Sequence, residues 1–379
     1  MEVIIVGGGI SGLLLASQLS SMCEKVIIFE SKKNNSRAPH SKHLHVLLQK
    51  GQDIFFDFFP EYINQFRKDC PVIDWAKDTK WESIAGRFPQ YRSKIITFSF
   101  SRSYLEDTLL SIVKEKKNIQ LINSKVTNFI FNKKTIIGVS TNEKNYHAKR
   151  VFICAGSHFP LKRLLKDKLS YKERINDIDI SYQTYISSKE NFQHTNCKQY
   201  YSQLMLPHAT SGLVQIPIEN NQYINTEIFY KLNRDLFLPH NKFEFTKRHI
   251  FRRKMQRMKG VVVMGDSLCS LNPVYGQGMT VIFMQVKEIC SHFHLTDAQL
   301  QKKMSKLSFI PWQLSNLSFQ KEENFFSLYL LLFYKKCTSS KRVHLNFLNI
   351  LHLNGGYYKL FNFKIFCKVI LKVIKMRRH

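Results

Sequence analysis

The stretch EVIIVGGGISGLLLASQLSSMCEKVIIFE, residues 2–30, decides the fold. Its two ends, EVIIV and KVIIFE, are short β-branched runs typical of strands that are buried on both faces of a parallel sheet. The residues between them carry the apolar spacing of a helix. Strand, glycine turn, helix and strand in about thirty residues form a βαβ unit. The stretch therefore predicts an α/β protein with a Rossmann-type fold.

The turn inside this unit has the spacing Gly7-x-Gly9-x-x-Gly12, which binds a dinucleotide in this context. Gly7 permits the tight turn, Gly9 lets the backbone approach a pyrophosphate, and Gly12 packs the helix against the strand. Ser11 lies within the same turn. Glu30 ends the second strand, where a carboxylate accepts hydrogen bonds from ribose hydroxyls. This acid favours FAD or NAD over NADP, and no second GxGxxG unit follows in the chain.

A second glycine-rich stretch, GDSLCSLNPVYGQGM (265–279), follows the buried-strand pattern VVVM and precedes an apolar helical pattern. Backbone this rich in glycine can lie close to a bound ligand. The amides at the start of the following helix favour negative charge on that ligand. The simpler alternative is a glycine turn capped by Asp266.

These features resemble the flavoprotein monooxygenases of the single-component aromatic hydroxylase type. They are most similar to a bacterial branch known as polyprenyl-methoxyphenol-hydroxylase-like, or FAD-dependent, oxidoreductases. The stretches that carry the resemblance are GGGISG (7–12), PHSKHLHVLLQKG (39–51), SRSYLEDTLL (101–110), GDSLCSLNPVYGQGM (265–279) and PWQLS (311–315). They occur in the order of that family and cover the chain from its start to residue 315.

The resemblance implies FAD as the cofactor and assigns residues to it. Asp266 corresponds to the acid that binds the ribityl chain, and Arg102 to an arginine that contacts phosphate or a ribityl oxygen. Val126 matches a strand position whose backbone contacts adenine, and Lys42 stands where the family favours arginine. The residues expected to bind FAD are Gly7, Gly9, Ser11, Gly12, Glu30, Lys42, Arg102, Val126, Gly156, Gly265, Asp266, Pro273, Gly276, Gly278 and Met279.

The resemblance also implies the reaction, although no catalytic side chain can be assigned. We expect one oxygen atom of O2 to be inserted into an apolar aromatic or polyprenyl-type substrate through a flavin C4a-hydroperoxide. NAD(P)H is the expected electron donor, but Ile153 stands where the family has an aspartate, which puts nicotinamide-dependent reduction in doubt. The alternatives are a flavoprotein reductase or halogenase on the same fold, and a non-catalytic membrane-associated protein with a vestigial FAD fold.

The same family pattern predicts three regions. An FAD-binding, three-layer domain comprises residues 1–80, 95–180 and 245–300, and an antiparallel substrate sheet comprises 81–94 and 181–244. A helical, basic region comprises residues 301–379.

Charge is concentrated in that last region. The net charge is +29, yet no Asp or Glu follows Glu323, while eleven Lys and Arg lie from Lys335 to Arg378. Nucleic acid is an improbable partner, since no nucleic-acid-binding motif is present. KIFCKVILKVIK (364–375) places its four lysines on one helical face, which is typical of a helix at an anionic membrane surface. The opposite face carries Ile365, Phe366, Val369, Ile370, Val373 and Ile374. The alternative is that this helix caps the core.

The eight scattered cysteines form no CxxC pair or metal-ligand spacing. They predict free thiols in a reducing compartment and no metal site. We therefore expect a cytoplasmic protein, with peripheral membrane contact through the basic region.

Overall fold

The computed structural model describes residues 1–31, 43–165, 170–231, 243–256, 259–317 and 321–376. The strands are β1 (Glu2–Val6), β2 (Lys25–Glu30), β3 (Val72–Asp74), β4 (Thr79–Ser83), β5 (Gly86–Arg87), β6 (Ile96–Phe98), β7 (Ile119–Asn123), β8 (Asn128–Asn132), β9 (Thr135–Ser140), β10 (Asn145–His147), β11 (Arg150–Ile153), β12 (Ser170–Ser188), β13 (Gln199–Ser202), β14 (Ser211–Ile218), β15 (Gln222–Tyr230), β16 (Phe243–Gln256), β17 (Val261–Val263) and β18 (Cys269–Ser270). The helices are α1 (Ile10–Leu19), α2 (Gln49–Phe58), α3 (Ile63–Asp69), α4 (Arg102–Lys114), α5 (Leu161–Leu165), α6 (Gln277–Ser291), α7 (Asp297–Leu317), α8 (Phe325–Ser339), α9 (Lys341–Leu351) and α10 (Phe363–Met376).

The first layer of the core is a parallel sheet in the order β17-β11-β1-β2-β7. Its central strands are the β-branched runs of the sequence, and they are buried because both faces of the sheet are covered. The register aligns Val6 with Phe29 on one side and with Ile153 on the other, and Ile153 with Val263. The neighbouring strands therefore end together at one edge.

Two further layers cover this sheet. Helix α1 packs against α4 and α6, and a small antiparallel sheet of β10, β9 and β8 lies beside β11. The small sheet also contacts the segment before β17, because the Ile136 amide of β9 donates a hydrogen bond to the Lys259 carbonyl at 3.0 Å. The predicted Rossmann-type three-layer arrangement is confirmed.

The second large unit is an eight-stranded sheet in the order β18-β16-β12-β15-β14-β13-β4-β5. All neighbouring strands in it are antiparallel except β13 and β4, which run parallel. The predicted antiparallel sheet is thus confirmed, and its longest strands extend beyond the segments 81–94 and 181–244 expected for it. The exact domain boundaries stay a prediction.

Helices α8, α9 and α10 enclose an aromatic cluster against β4 and β5, in agreement with the predicted C-terminal helical region. Val46 and Tyr201 pack against both this cluster and the apolar face of the eight-stranded sheet, so the two cores meet there. Among the residues that the structure describes, no helix is long and apolar enough to cross a bilayer.

Candidate functional site

The candidate site lies at the carboxyl edge of the parallel sheet, where β17, β11, β1 and β2 end side by side. In open α/β sheets ligands bind outside the carboxyl ends of the strands. The turns that follow these four strands carry most of the predicted site: Gly7, Gly9, Ser11, Gly12, Glu30, Gly156, Gly265 and Asp266.

The first turn is packed too tightly for any side chain at two of its glycines. Gly7 has φ +109°, and a Cβ there would lie 2.7 Å from the Ala155 Cα. A Cβ on Gly12 would lie 1.8 Å from the Gly7 carbonyl oxygen. Glycine is therefore required at both positions by contacts within the protein.

Glu30 lies against the same turn. The Gly8 amide donates a hydrogen bond to Glu30 Oε2 at 2.8 Å. This bond holds the carboxylate beside the glycine loop. A ribose contact, as expected from the sequence, requires the carboxylate to lie there.

The glycine-rich stretch from Gly265 joins the first turn although more than 250 residues separate them. Gly265 has φ +56°, and a Cβ there would lie 2.7 Å from Ser11 Oγ. Its amide donates to Gln285 Oε1 at 2.8 Å. The same stretch also contacts the turn after β11, because Ser267 Oγ donates to the Gly156 carbonyl at 2.9 Å. Three predicted segments thus form one edge.

Other glycines of this edge face open space. A Cβ built on Gly9, Gly156 or Gly278 would meet no atom within 4 Å in the described parts of the chain. Protein packing does not demand glycine at Gly9 and Gly278, whose φ angles are ordinary. A ligand that touches the backbone would demand it. The edge therefore fits the close approach of a dinucleotide such as FAD.

Asp266 and Lys247 add further charge at the edge, and sequence reasoning missed Lys247. Lys247 Nζ donates to the Leu271 carbonyl at 3.3 Å, so the amine lies under the glycine-rich stretch. Burial lowers the pKa of Lys247, and nearby Asp266 opposes that shift. Lys247 is one of several lysines and arginines in the sequence of β16, so the sequence alone does not reveal that its side chain is buried at this edge.

The remainder of the stretch forms a short 3₁₀ turn that leads into α6. Asn272 Oδ1 accepts from the Val274 amide at 3.1 Å and caps the turn, which begins at Pro273. Gly276 has φ +62° and precedes the first residue of α6, and Met279 is buried in its first turn. The Asn272 Nδ2 group is buried without a partner in the described structure, so it is a donor available to a ligand.

Arg102 is held at the start of α4 by two side chains. Its Nε donates to Glu106 Oε1 at 2.8 Å, and its Nη1 lies 3.1 Å from His45 Nε2. The His45 Nδ1 lies 2.8 Å from the His43 carbonyl, which can only accept, so Nδ1 carries the proton and Nε2 accepts from Arg102. Arg102 is thus oriented before any ligand binds.

Three predictions need comment. Lys42 lies outside the described residues. The strand position predicted for Val126 is wrong, because Val126 lies buried in the connection between β7 and β8, where the chain turns between two sheets. Ile153 is fully buried and aligned with Val6 and Val263, so its side chain belongs to the sheet and not to the turn after it.

Sequence reasoning also missed a buried aromatic group on the eight-stranded sheet. The His43 ring lies 5.7 Å from Phe245 and 6.4 Å from Tyr182, and its Nδ1 lies 2.9 Å from Thr184 Oγ1. Burial lowers the pKa of His43 and raises that of Tyr182. Both groups are therefore neutral near pH 7. The Tyr182 hydroxyl finds no partner among the described residues.

Comparisons with known proteins agree with this geometry. Residues 164–309 match the family model of squalene epoxidase. Protein Rv3254 of Mycobacterium tuberculosis (strain ATCC 25618 / H37Rv) is 24% identical over 336 residues, which cover 75% of this chain and 71% of that protein.

Solved structures give the same fold over most of the chain. p-Nitrophenol 4-monooxygenase PnpA from Pseudomonas putida DLL-E4 has a TM-score of 0.66 at 13% identity, covering 94% of this chain and 97% of that one. A triple mutant of the flavin-dependent brominase Bmp2 has a TM-score of 0.65 at 12% identity, covering 100% and 99%. CtdE in complex with FAD and substrate 4 has a TM-score of 0.62 at 12% identity, covering 83% and 88%.

The fold is therefore that of the FAD-dependent monooxygenases, and the family match over residues 164–309 agrees with it. The partial family match and the shared fold agree with the predicted class, an enzyme of the FAD-dependent monooxygenase type, and with FAD as its cofactor.

Proposed function

We propose that this chain inserts one oxygen atom of O2 into an apolar aromatic or polyprenyl-type substrate, with NAD(P)H as the electron donor. The observation that carries the proposal is the edge where Gly9, Gly156 and Gly278 face open space beside Asp266 and the start of α6. Bound FAD would supply the redox and oxygen-activating chemistry. The residues of the chain would bind and orient it.

The binding roles follow from position. Glu30 would accept from ribose hydroxyls, and the N-terminus of α1 would face the pyrophosphate. Asp266 would hold the ribityl chain, and Arg102 would contact a phosphate or ribityl oxygen. Pro273, Gly276 and Met279 would shape the backbone beside the ring. The N-terminus of α6 would stabilise negative charge on the reduced ring.

The apolar face of the eight-stranded sheet is the proposed substrate wall. Leu44, Val46 and Val274 pack against the buried residues of this face, so it directly adjoins the stretch proposed to contact the flavin. A wall of apolar and aromatic side chains would exclude water from the reacting centre, as oxygen transfer requires. Tyr182 stays protonated because its pKa is raised, and it would donate to an oxygen atom of the substrate.

Recognition of the electron donor concerns the turn that follows β11. The buried Ile153 side chain replaces the expected aspartate inside the sheet, while the Gly156 turn is retained at the cofactor edge. Because this chain has no aspartate at position 153, other residues would have to recognise NAD(P)H.

Optical spectroscopy followed by reduction tests the proposal. The purified protein should show flavin absorbance, or acquire it with added FAD, and NADH or NADPH should bleach it without oxygen. Under 18O2, a polyprenyl-substituted phenol should gain one labelled oxygen atom. A protein that cannot bind FAD contradicts the proposal at its base. A flavoprotein that reduces O2 only to hydrogen peroxide, with no labelled product from apolar aromatic or polyprenyl compounds, contradicts the oxygen-transfer step.

Substituting Tyr182 sharpens the substrate assignment. Tyr182→Phe removes one donor and should raise KM for a phenolic substrate about tenfold, the cost of one buried hydrogen bond. The flavin spectrum and FAD affinity should stay unchanged. An unchanged KM would remove Tyr182 from the substrate wall.

A further inference from the structure

Apolar side chains are unusually exposed near the C-terminus. The four most exposed large apolar side chains of the described residues are Tyr358 (78%), Phe363 (69%), Leu371 (60%) and Phe361 (59%). Together with Phe326, which is 47% exposed, they define the C-terminal patch. Single exposed apolar residues are ordinary on a protein surface, but a contiguous patch marks an interaction site.

Ring contacts join the two chain segments of the C-terminal patch. Phe326 lies 5.7 Å from Phe325, and Phe325 lies 5.5 Å from Phe366. Phe366 in turn lies 5.5 Å from Phe361. The start of α8 and the turn before α10 therefore form one continuous aromatic surface.

The exposure is built into the way α10 packs. Ile365 and Val369 are buried against the aromatic cluster, so one face of the helix is already used. Phe363, Ile370 and Leu371, at spacing i, i+7 and i+8, form a second apolar strip that faces outward. Ile370 therefore lies outside the buried face, because the apolar residues of α10 cover more of its circumference than the protein beneath it can bury.

The turn before α10 is held in place by Tyr329. The Tyr329 hydroxyl donates to the Leu360 carbonyl at 2.6 Å and accepts from the Asn362 amide at 2.7 Å. These two bonds flank Phe361 and fix it on the surface. Exposure of Phe361 is thus a feature of the fold.

The positive charge of the C-terminal patch indicates which kind of partner can bind it. Lys359, Lys364 and Lys368 are exposed among the apolar side chains of the patch. No acid follows Glu323 in the chain, whereas eleven cations do. Two copies of such a surface would repel each other, and a nucleic acid would leave the apolar side chains without a partner. Aromatic side chains with interspersed lysines match the interface of an anionic bilayer.

We propose that the C-terminal patch docks this protein on an anionic membrane surface. Phe361, Phe363 and Leu371 enter the headgroup–acyl boundary, and the lysines meet lipid phosphates. The proposal does not depend on flavin chemistry, because vesicle binding can be measured whether or not the protein turns over any substrate.

Co-sedimentation of the full chain with vesicles tests the proposal. The vesicles are phosphatidylcholine alone, or phosphatidylcholine with 30% phosphatidylserine, so that the two sets differ in charge only. We expect binding to the anionic vesicles that falls with added salt, since the Debye length shrinks to about 3 Å at 1 M. The combined variant Phe361→Ser with Phe363→Ser should lose at least about tenfold in affinity, since each removes buried aromatic area. Replacing Lys359, Lys364 and Lys368 by Glu should cost about 100-fold or more.

The matched control is Ile175→Ser with Ile186→Ser, which removes two exposed apolar side chains of β12 that do not belong to the patch. It should bind like the unaltered chain, and circular dichroism should show that every variant is folded. No binding to anionic vesicles, or equal losses in patch and control variants, overturns the proposal. A patch variant that instead turns a dimer into a monomer in sedimentation velocity, with vesicle binding unchanged, identifies the occupant as a second copy and also overturns it.

Discussion

The cofactor edge and the aromatic cluster beneath α8, α9 and α10 are built on opposite principles. At the edge, backbone packs against backbone, as at Gly12 and Gly7, and the Gly8 and Gly265 amides donate to side chains. In the cluster, large rings such as Trp81 and Phe347 fill the space, yet the imidazoles of His344 and His352 keep buried nitrogens without partners in the described structure. A single added methyl group at a packed glycine should therefore destabilise the edge, and protonation of a single buried histidine should destabilise the cluster.

The largest expected effect is at the edge. Gly12→Ala places a Cβ 1.8 Å from the Gly7 carbonyl, so the turn has to open. We expect a loss of about 3 kcal/mol or more in the free energy of unfolding, at the upper end for overpacking. Urea unfolding of the protein without FAD measures it. Unchanged stability would mean that the turn is not packed as described.

The second prediction concerns how the free energy of unfolding depends on pH through the histidines of the cluster. Burial lowers the pKa of His344 to about 4 and that of His352 to about 3, from an ordinary value of 6.5. Between 6.5 and these values the unfolded chain binds more protons than the folded one, so stability is lost as pH falls. His344 and His352 together contribute up to about 2.7 kcal/mol per pH unit to this slope.

Urea unfolding between pH 7 and pH 5 checks this slope. His344→Phe removes one titrating group beside Phe88 and should reduce the slope by up to about 1.4 kcal/mol per pH unit. An identical slope in His344→Phe would contradict the assignment of the acid sensitivity to the cluster.

A smaller effect is expected for Arg102 at the edge. Arg102→Ala removes a cation that is preoriented by His45 and Glu106, and FAD affinity should fall about tenfold for the loss of one charge-assisted bond. Fluorescence titration with FAD measures it. Arg67→Ala, on exposed α3, is the control and should bind normally. Equal affinities in the two variants would remove Arg102 from the proposed site.

The edge was largely predictable because its signals are local. Strand, turn and helix patterns place Gly7–Gly12 and Gly265 at strand ends, and parallel strands bring their carboxyl ends together whatever lies between them in the chain. The glycine spacing could not distinguish Gly12, which packing requires, from Gly9, which packing leaves open. That difference depends on atoms from distant segments.

The sheet and the cluster were less predictable because their important residues depend on packing. Tyr182, Lys247 and His352 lie in ordinary alternating or helical patterns, and only tertiary contacts bury them. Val126 was placed in a strand through the family resemblance, but in this chain it lies in a buried connection, which suits a β-branched side chain equally. Whether Ile370 is buried or exposed could not be predicted, because helical spacing alone does not reveal how much of a helix the protein covers.

Gly278→Ala tests the central claim, that open glycines at the edge are kept for a cofactor, most directly. The added methyl meets no atom of the described chain within 4 Å, and alanine favours a helix over glycine by up to about 1 kcal/mol. The protein without FAD should therefore melt at the same or a slightly higher temperature, while its Kd for FAD rises at least about tenfold through lost backbone contact. An unchanged Kd for FAD would contradict the account.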